Sequence, residues 1–314
     1  MTDVVAGACD THVHVYDHRY PTSSTTVLRP PDATLTEYAA VQRALGLDRV
    51  VLVQPTTYGL DNRLQLHAVG TLGVSARAVV VVDDQMSDDE LGRLTGAGAR
   101  GARFHMLPGG AVPWAMMQDV AERIAAHGWH IQLQLDGREL PDRLDDLLKL
   151  PTPLVIDHVG RFMPPVTPDH DAFRALLTLV DTGRCWVKLS APYESTHDGA
   201  PDYPSVAELA RRLVERAPER MLWATNWPHP GQDHPLDAIQ LRSLLVDWLP
   251  DPVTRRRVLV DNPTEVYGFD PIDVQPHGST GHRHGRHESH RHEHHQHEQD
   301  QHEHHQMQHP QEPS

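Results

Sequence analysis

The sequence has 314 residues, a formal net charge of −15 and two cysteines. The acidic balance, with no basic run in the body of the chain, excludes the electrostatic footprint of a nucleic-acid-binding protein. Two cysteines cannot build a disulfide framework and are typical of a reducing compartment. No basic-then-apolar leader opens the chain, and no run approaches the roughly 18 apolar residues of a membrane span. We therefore expect a soluble cytoplasmic protein that binds neither nucleic acid nor membranes.

Short β-branched runs recur along the chain, with helical patterns between them. Several are nearly continuous in apolar residues, for example RVVLVQ and RAVVVVD, which indicates strands buried on both faces and therefore a parallel sheet. The predicted strands are Ala8–Val15, Arg49–Gln54, Arg77–Val82, Gly101–His105, Trp129–Leu135, Pro153–His158, Cys185–Ser190 and Met221–Asn226.

Each predicted strand is followed by an amphipathic stretch in which apolar residues recur at spacings of three and four. Several of these stretches begin at Thr, Ser, Asp or Pro and end at Gly, as helices do. Eight strand–helix units are the number in a (β/α)8 TIM barrel, and one more helical stretch, DPVTRRRVLVDNPTEVYGF, follows them. An open doubly wound sheet is the alternative. The regularity favours the closed α/β barrel, as a single domain over residues 1–276.

The chain after residue 276 has a different composition. Residues 277–314 contain 13 of the 25 histidines, mixed with Glu and Gln, and almost no apolar residue. Such a segment cannot bury enough apolar surface to fold, so we predict a disordered tail. Dense imidazoles bind Ni²⁺, Zn²⁺ or Cu²⁺ without a defined geometry. The tail is therefore predicted to bind these ions, either as a function or incidentally.

Polar residues cluster at the carboxyl ends of the predicted strands, where (β/α)8 barrels carry their active sites. Strand 1 contains the segment CDTHVHVYD. Because strand side chains alternate, Asp10, His12 and His14 should point to one face. If that face is the lumen, His158 at the end of strand 6 and Asn226 at the end of strand 8 meet the two imidazoles of strand 1. The sequence therefore predicts a catalytic group inside one cavity.

Eight short segments occur in order and at barrel spacing: DTHVHVYD, VQPTTYGLDN, GARFHML, HIQLQLDG, IDHVGR, KLSAPYE, WATNWPHP and DNPTEVYGF. In these segments the chain resembles the amidohydrolase superfamily (amidohydrolase 2 type), in the branch of 2-pyrone-4,6-dicarboxylate lactonase and galactarolactone isomerase. The resemblance runs from about residue 9 to about residue 269. It implies a (β/α)8 hydrolase that opens or rearranges lactones, often without a metal ion.

The resemblance also implies roles for individual residues. His12 and His14 match the strand-1 pair of the family, and His158 matches its strand-6 histidine. We expect these three to polarise the lactone carbonyl. Arg103 matches a strand-4 arginine that contacts the substrate carboxylate. Asn226 stands where the lactonases carry an aspartate, their proposed general base.

Asn226 can orient a water molecule or hold a hydroxyl group, but an amide cannot take a proton from water. His229, in the segment NWPHP, is the leading candidate for the general base, because histidine titrates near neutral pH. A loop-capping role for His229 is the alternative. With a substrate hydroxyl in place of water, the reaction would be lactone isomerisation. A barrel that has lost catalysis would be a metal-binding or regulatory module.

The dicarboxylate lactonase carries arginines after the strand-4 segment and in the strand-7 loop that are missing here. Arg103 alone can hold one carboxylate bidentately. A second carboxylate would need Lys188 or Arg161. The sequence therefore favours a lactone or ester with one carboxylate, or a polyhydroxylated sugar lactone. Further contacts through neutral hydrogen bonds are predicted from Tyr58, Asn62, Gln132 and Tyr193.

Two mechanisms remain open. In one, no cofactor is required; in the other, a single Zn²⁺ ion leaves a position for water and is held by His12, His14 and His158. Asn226 is a poor zinc ligand, and strand 4 offers no lysine to bridge two metals, so the metal-free mechanism is favoured. A lysine in the lumen needs an acidic partner, which for Lys188 could be Asp157 or Glu194.

Overall fold

The computed structural model describes residues 5–196, 198–232, 234 and 236–271. Eight parallel strands hydrogen-bond in chain order, so that each lies beside the strand that precedes it in sequence. The strands are β1 (Cys9–Val13), β2 (Arg49–Val53), β3 (Ala76–Val80), β4 (Ala99–His105), β5 (His130–Gln134), β6 (Leu154–Ile156), β7 (Cys185–Leu189) and β8 (Met221–Trp223).

The first strand and the segment after the last strand complete the ring. The His14 N–H donates to the Trp227 carbonyl at 2.9 Å, and the Asn226 N–H donates to the His12 carbonyl at 3.0 Å. Val13 also forms a parallel bridge with Trp227. The predicted (β/α)8 barrel is thus confirmed, because an open sheet would leave these two edges apart.

Helices follow the strands and bury their apolar faces against the outside of the barrel. The first one shows how local sequence sets its ends: Thr34 and Glu37 form a capping box, and Gly46 ends the helix in the left-handed region. A π-helical turn, Arg257–Asp261, joins the last two helices. The helices are α1 (Leu35–Leu45), α2 (Arg63–Leu72), α3 (Asp88–Gly96), α4 (Met117–Ala125), α5 (Leu140–Lys149), α6 (Asp171–Asp181), α7 (Pro204–Arg216), α8 (Ala238–Trp248), α9 (Pro252–Arg256) and α10 (Asn262–Tyr267).

An irregularity in β1 changes which of its side chains enter the lumen. Between Asp10 and Val13 the pairing with β2 shifts by one residue. Such a bulge reverses the alternation of side chains. The Asp10 carboxylate accepts a hydrogen bond at 3.2 Å from the hydroxyl of Tyr38, a residue of α1. The prediction that Asp10 points with the two strand-1 histidines to one face is therefore wrong.

Strands 6 and 8 are shorter than predicted. The structure ends β6 at Ile156 and β8 at Trp223. Beyond them, His158 and Asn226 take φ values of 54° and 60°. This left-handed conformation is unfavourable for residues other than glycine and cannot continue a strand. The predicted strands therefore ran into the turns that carry the side chains of interest.

An apolar cluster fills the barrel at the amino-terminal end of the strands. Arg77 and Arg49 place their guanidinium groups over the Phe269 ring, 4.6 Å and 5.1 Å from its centroid. A ligand therefore reaches the lumen from the opposite end, at the carboxyl ends of the strands. The buried members of the cluster are Cys9, Val51, Val53, Val79, Val155, Trp186, Leu222, Tyr267 and Phe269.

No helix in the part of the chain that the structure describes is long and apolar enough to cross a membrane. The cytoplasmic location stays a prediction. The predicted tail at residues 277–314 lies outside the described residues, as do residues 272–276 of the predicted barrel domain.

Candidate active site

A cavity of about 500 Å³ opens at the carboxyl ends of the strands. Its wall includes six polar residues that were not predicted to bind substrate: Tyr16, Thr56, His105, Gln134, Glu194 and Gln232. The predicted site residues that line it are His14, Arg103, His158, Arg161, Tyr193 and Asn226.

Three imidazoles meet at the floor of this cavity: His14 and His158 line it, and His12 is fully buried behind them. His12 Nε2 lies 3.2 Å from His14 Nε2, and the ring centroids of His12 and His158 are 4.9 Å apart. His14 Nδ1 lies 2.7 Å from the Val53 carbonyl, so this nitrogen carries the proton and Nε2 has the lone pair in the neutral ring. Desolvation lowers the pKa of all three rings below the ordinary histidine value. The floor is therefore a group of neutral imidazoles.

The ring of His158 is fixed on one side and free on the other. Its Nδ1 lies 2.8 Å from the Ser190 hydroxyl. Its Nε2 lies 3.9 Å from Glu194 Oε1, which is beyond hydrogen-bond distance. The left-handed backbone at His158 holds the ring in this direction, and strain of this kind is common at functional sites. His158 Nε2 is thus available to a ligand in the cavity.

A charged layer lies beneath His12. The Lys188 ammonium donates to Gln132 Oε1 at 2.7 Å, lies 3.4 Å from Asp157 Oδ1 and is 3.2 Å from His12 Nδ1. Burial lowers the pKa of Lys188 to about 8, although the Asp157 carboxylate opposes that shift. Of the two acidic partners considered for Lys188, the structure brings Asp157 close.

The same layer contains two residues that were predicted to contact the substrate. Gln132 and Lys188 are fully buried, and neither lines the cavity. They are placed to hold the ring of His12 from below, and their position does not support a contact with a molecule in the cavity.

Arg103 is a buried cation in the cavity wall. Its guanidinium donates to the Gln54 carbonyl at 2.8 Å and to Gln134 Oε1 at 2.7 Å. Its Nε is buried without a hydrogen-bond partner, and no carboxylate of the described residues forms an ion pair with it. A buried charge without a counterion is unfavourable. The Arg103 guanidinium is therefore the group of the wall best placed to bind an anion.

Glu194 is the carboxylate that the structure brings to the cavity in place of an acid at strand 8. Its Oε2 accepts a hydrogen bond from Gln134 Nε2 at 3.0 Å and lies 3.5 Å from Arg161 Nε. Its Oε1 accepts from Asn226 Nδ2 at 3.1 Å. From the sequence, Glu194 was predicted only as a possible partner for Lys188. The available signal was its place in the loop after β7, in the segment KLSAPYE.

His229 lies behind the cavity wall. Its Nδ1 is 2.9 Å from the Tyr193 hydroxyl, and that hydroxyl also accepts from Asn226 Nδ2 at 3.1 Å. Burial lowers the pKa of His229 to about 4. The ring borders a separate groove between α1 and α8 and does not line the cavity. Its position therefore does not support the prediction that His229 activates water.

Tyr58 and Asn62 hold the loop after β2. The Tyr58 hydroxyl accepts from the Asp17 N–H at 2.8 Å, and Asn62 bonds to both backbone groups of Val81 at 2.8 Å. Neither side chain lines the cavity. Their positions therefore do not support the prediction that they contact the substrate, because these backbone bonds occupy their polar atoms elsewhere.

A group of potential metal ligands lies at the floor. Among the described residues, ligand atoms of His12, Asp157 and His158 lie within 4.8 Å of one another. The zinc ligands predicted from the sequence were His12, His14 and His158, so Asp157 takes the place of His14 in this set. Asp157 Oδ1 has no hydrogen-bond partner, and nitrogen and oxygen donors of this kind suit Zn²⁺. These residues could therefore hold one divalent ion.

The barrel and its histidine-rich floor define a hydrolase-type (β/α)8 enzyme, and comparison with known proteins identifies the family. The model of the amidohydrolase family matches residues 9–269. The chain belongs to this family and is an enzyme of the amidohydrolase superfamily, as the resemblance in sequence implied.

Three known proteins show which members the chain is similar to. It is 38% identical to a D-galactarolactone isomerase of Agrobacterium fabrum strain C58, covering 85% of this chain and 92% of the relative. It is 36% identical to a 2-pyrone-4,6-dicarbaxylate hydrolase of Comamonas testosteroni, covering 83% and 90%. A crystal structure of an Agrobacterium tumefaciens protein in its apo state matches with a TM-score of 0.82 at 36% identity, covering 86% of this chain and 99% of that one.

Proposed function

We propose that the protein opens the ring of a lactone that carries one carboxylate. The observation that carries the proposal is the buried Arg103 guanidinium, which has no carboxylate partner among the described residues and lines the same cavity as His14 and His158. A substrate carboxylate would complete this wall with charge-assisted hydrogen bonds. The names of the two relatives, a D-galactarolactone isomerase and a 2-pyrone-4,6-dicarbaxylate hydrolase, support a lactone as the substrate, whereas the number of carboxylates is argued from Arg103.

One histidine of the floor, His158, polarises the lactone carbonyl in this proposal. Neutral His14 has only a lone pair at Nε2, because Nδ1–H is bonded to Val53, and this lone pair faces His12 Nε2 at 3.2 Å. His158 can keep its proton on Nε2 while Nδ1 accepts from Ser190. His158 Nε2–H is therefore the donor placed for the oxygen on which negative charge develops. The Lys188 ammonium beneath His12 adds positive charge to the same floor.

The charges around the cavity favour one carboxylate over two. Arg161, the second guanidinium of the wall, already faces Glu194 at 3.5 Å. Lys188 is out of reach below the floor. A second substrate carboxylate would have to displace Glu194 from Arg161. The other polar groups of the wall, among them Gln134 and Tyr16, suit the hydroxyl groups of a sugar-derived lactone.

The nucleophile decides between two outcomes. Attack by water gives a hydroxy acid, whereas attack by a hydroxyl group of the substrate gives a second lactone. Asn226 makes the second outcome a real alternative, because an amide cannot take a proton from water, and the similarity to a D-galactarolactone isomerase points the same way. Hydrolysis stays the first proposal and isomerisation the alternative. Either nucleophile would use the same carbonyl-binding floor.

A divalent metal is not required in this proposal. His12, Asp157 and His158 would hold such an ion, which would supply a Lewis acid for the carbonyl. Turnover in the presence of a strong chelator, with metal content measured beside it, tests the requirement. The comparison needs a chain ending at residue 276 as well as the full chain, because the histidine-rich residues 277–314 are predicted to bind the same ions.

Incubation with a panel of lactones that differ in their number of carboxylates and hydroxyls tests the function. Carbon-13 NMR distinguishes the open hydroxy acid from a second lactone. Turnover should be highest for substrates with one carboxylate. If every lactone stays unchanged, the proposed function is overturned, and a non-catalytic module becomes the interpretation.

A further inference from the structure

Both forms of the proposed reaction need a group that takes a proton from the attacking oxygen. Among the residues lining the cavity, Asn226 has no basicity, and burial lowers the pKa of His105 to about 3. His229 lies behind the wall. We propose that Glu194 is the catalytic proton acceptor and that Asn226 is the positioning residue that holds its carboxylate. This inference rests on the proposed function.

The surroundings of Glu194 suit that role. It is the one carboxylate among the described residues that line the cavity, and its side chain is 18% exposed. Gln134 donates to Oε2 and Asn226 donates to Oε1, so the carboxylate is held on two sides. These two hydrogen bonds therefore fix the rotamer of Glu194 and the position of its carboxylate at the cavity.

The distance to His158 places the reaction between two groups. Glu194 Oε1 and His158 Nε2 lie 3.9 Å apart. Glu194 Oε1 can therefore bind the attacking water or hydroxyl while His158 Nε2–H donates to the carbonyl oxygen. The proton acceptor and the carbonyl donor then lie on neighbouring sides of the reacting carbon.

Glu194 alone can accept the transferred proton and return it. The attacking oxygen gives its proton to the carboxylate as its bond to the carbonyl carbon forms. The ring C–O bond then breaks, and the leaving oxygen takes the same proton from the carboxyl group. Water as nucleophile yields the hydroxy acid, and a substrate hydroxyl yields the isomeric lactone. The carboxylate returns to its starting state in either case.

Asn226 fits this assignment better than an aspartate would. Its Nδ2 donates to Glu194 Oε1 and to the Tyr193 hydroxyl, which fixes the orientation of the amide. An aspartate in its place would set two carboxylates about 3 Å apart, where they cannot both be ionised without repulsion. The amide on one residue and the acid on the other therefore form a matched pair, and their positions should be exchangeable.

Exchange of the two groups is the test. Glu194→Gln should lower kcat at least a hundredfold on a lactone that the wild type turns over, with little change in KM. Asn226→Asp alone should lower kcat at least tenfold. The double variant Glu194→Gln with Asn226→Asp restores one acid and one amide, and it should recover at least tenfold over Glu194→Gln. Glu215→Gln, on the exposed face of α7, is the matched control and should retain wild-type turnover.

Thermal melting of each variant separates loss of the acid from loss of the fold. If Glu194→Gln keeps kcat within threefold of the wild type, Glu194 is not the proton acceptor, although the proposed function stands. The assignment is also overturned if the folded double variant is no faster than Glu194→Gln. If the wild type opens no lactone of the panel, the proposed function itself fails and takes this assignment with it.

Discussion

The two ends of the barrel use the same eight strands for different purposes. At the amino-terminal end, the lumen is filled by apolar side chains, and the cations there stack on Phe269 and bond to backbone carbonyls. At the carboxyl end, Arg103 and Glu194 lie beside neutral imidazoles, and Arg103 has no acidic partner. The groups at the amino-terminal end pair with the protein itself, whereas the carboxyl end offers a buried cation to a ligand.

The two ends therefore contribute differently: the amino-terminal (closed) end contributes to stability and the carboxyl (open) end to the reaction. Packing at the closed end lowers the free energy of the folded state without any ligand. The open end contains buried polar groups whose desolvation is unfavourable until a substrate pairs with them. Substitutions at the closed end should therefore change unfolding, and substitutions at the open end should change turnover.

The largest expected effect concerns the unpaired cation. Arg103→Met removes the partner of the substrate carboxylate, which should lower kcat/KM by a factor of about 100 to 1,000, equivalent to about 3–4 kcal/mol. The variant also loses the Arg103 hydrogen bonds to Gln54 and Gln134, so urea unfolding is measured beside kcat/KM to show that the variant is folded. Arg77→Met, at the closed end, is the control and should keep wild-type kcat/KM. Equal turnover by the Arg103→Met variant would refute the role of the open end as a carboxylate site.

The next effect belongs to the closed end. Phe269 is 4% exposed and packs beneath two guanidinium groups. Phe269→Ala should lower the free energy of unfolding by about 3 kcal/mol, through lost burial and a residual cavity. Urea titration measures that change, and kcat at a temperature where the variant is folded should stay within twofold. A variant that is fully stable but inactive would contradict the division between the ends.

A smaller effect concerns the buried imidazole of His130 and the pH dependence of stability. His130 is 1% exposed, and burial lowers its pKa to about 3. The unfolded chain takes up this proton near pH 6.5, so the native state loses stability as pH falls below that value, by about 1.4 kcal/mol per pH unit. His130→Phe keeps a ring but cannot be protonated. It should reduce the loss of stability between pH 7 and pH 5 by about 2 kcal/mol.

Urea unfolding at the two pH values provides that measurement. His67→Phe, at an exposed position of α2, is the control and should leave the pH dependence as it is in the wild type. If His130→Phe has the same loss between pH 7 and pH 5 as the wild type, His130 does not contribute to the acid sensitivity of the barrel.

The order of strands and helices could be predicted from the sequence because periodicity reports burial, and burial determines the barrel. The face of a strand on which a side chain lies does not determine how deeply it is buried, however. The sequence indicated Gln132 and Lys188 as possible substrate contacts, but it could not reveal that they lie beneath the histidines. The bulge between Asp10 and Val13 is set by pairing with β2, so a rule applied to one strand misassigned Asp10.

The rest of the site depends on turns. His158 and Asn226 reach the cavity through left-handed residues that no strand pattern predicts. Glu194 comes from the loop after β7, where sequence spacing does not fix direction. The sequence predicted the members of the floor on resemblance and chemistry, whereas the acid in the wall became visible only through its hydrogen bonds to Gln134 and Asn226.

The smallest expected effect concerns His229, which lies behind the wall of the cavity. His229 touches the cavity only through the Tyr193 hydroxyl, so His229→Ala removes one hydrogen bond of about 1 kcal/mol and should lower kcat/KM at most about fivefold. Tyr193→Phe should cost more, because it also removes an acceptor of Asn226. Steady-state kinetics on both variants ranks the two residues. A hundredfold loss in a folded His229→Ala variant would return the general base to His229, because no role transmitted through one hydroxyl could be that large.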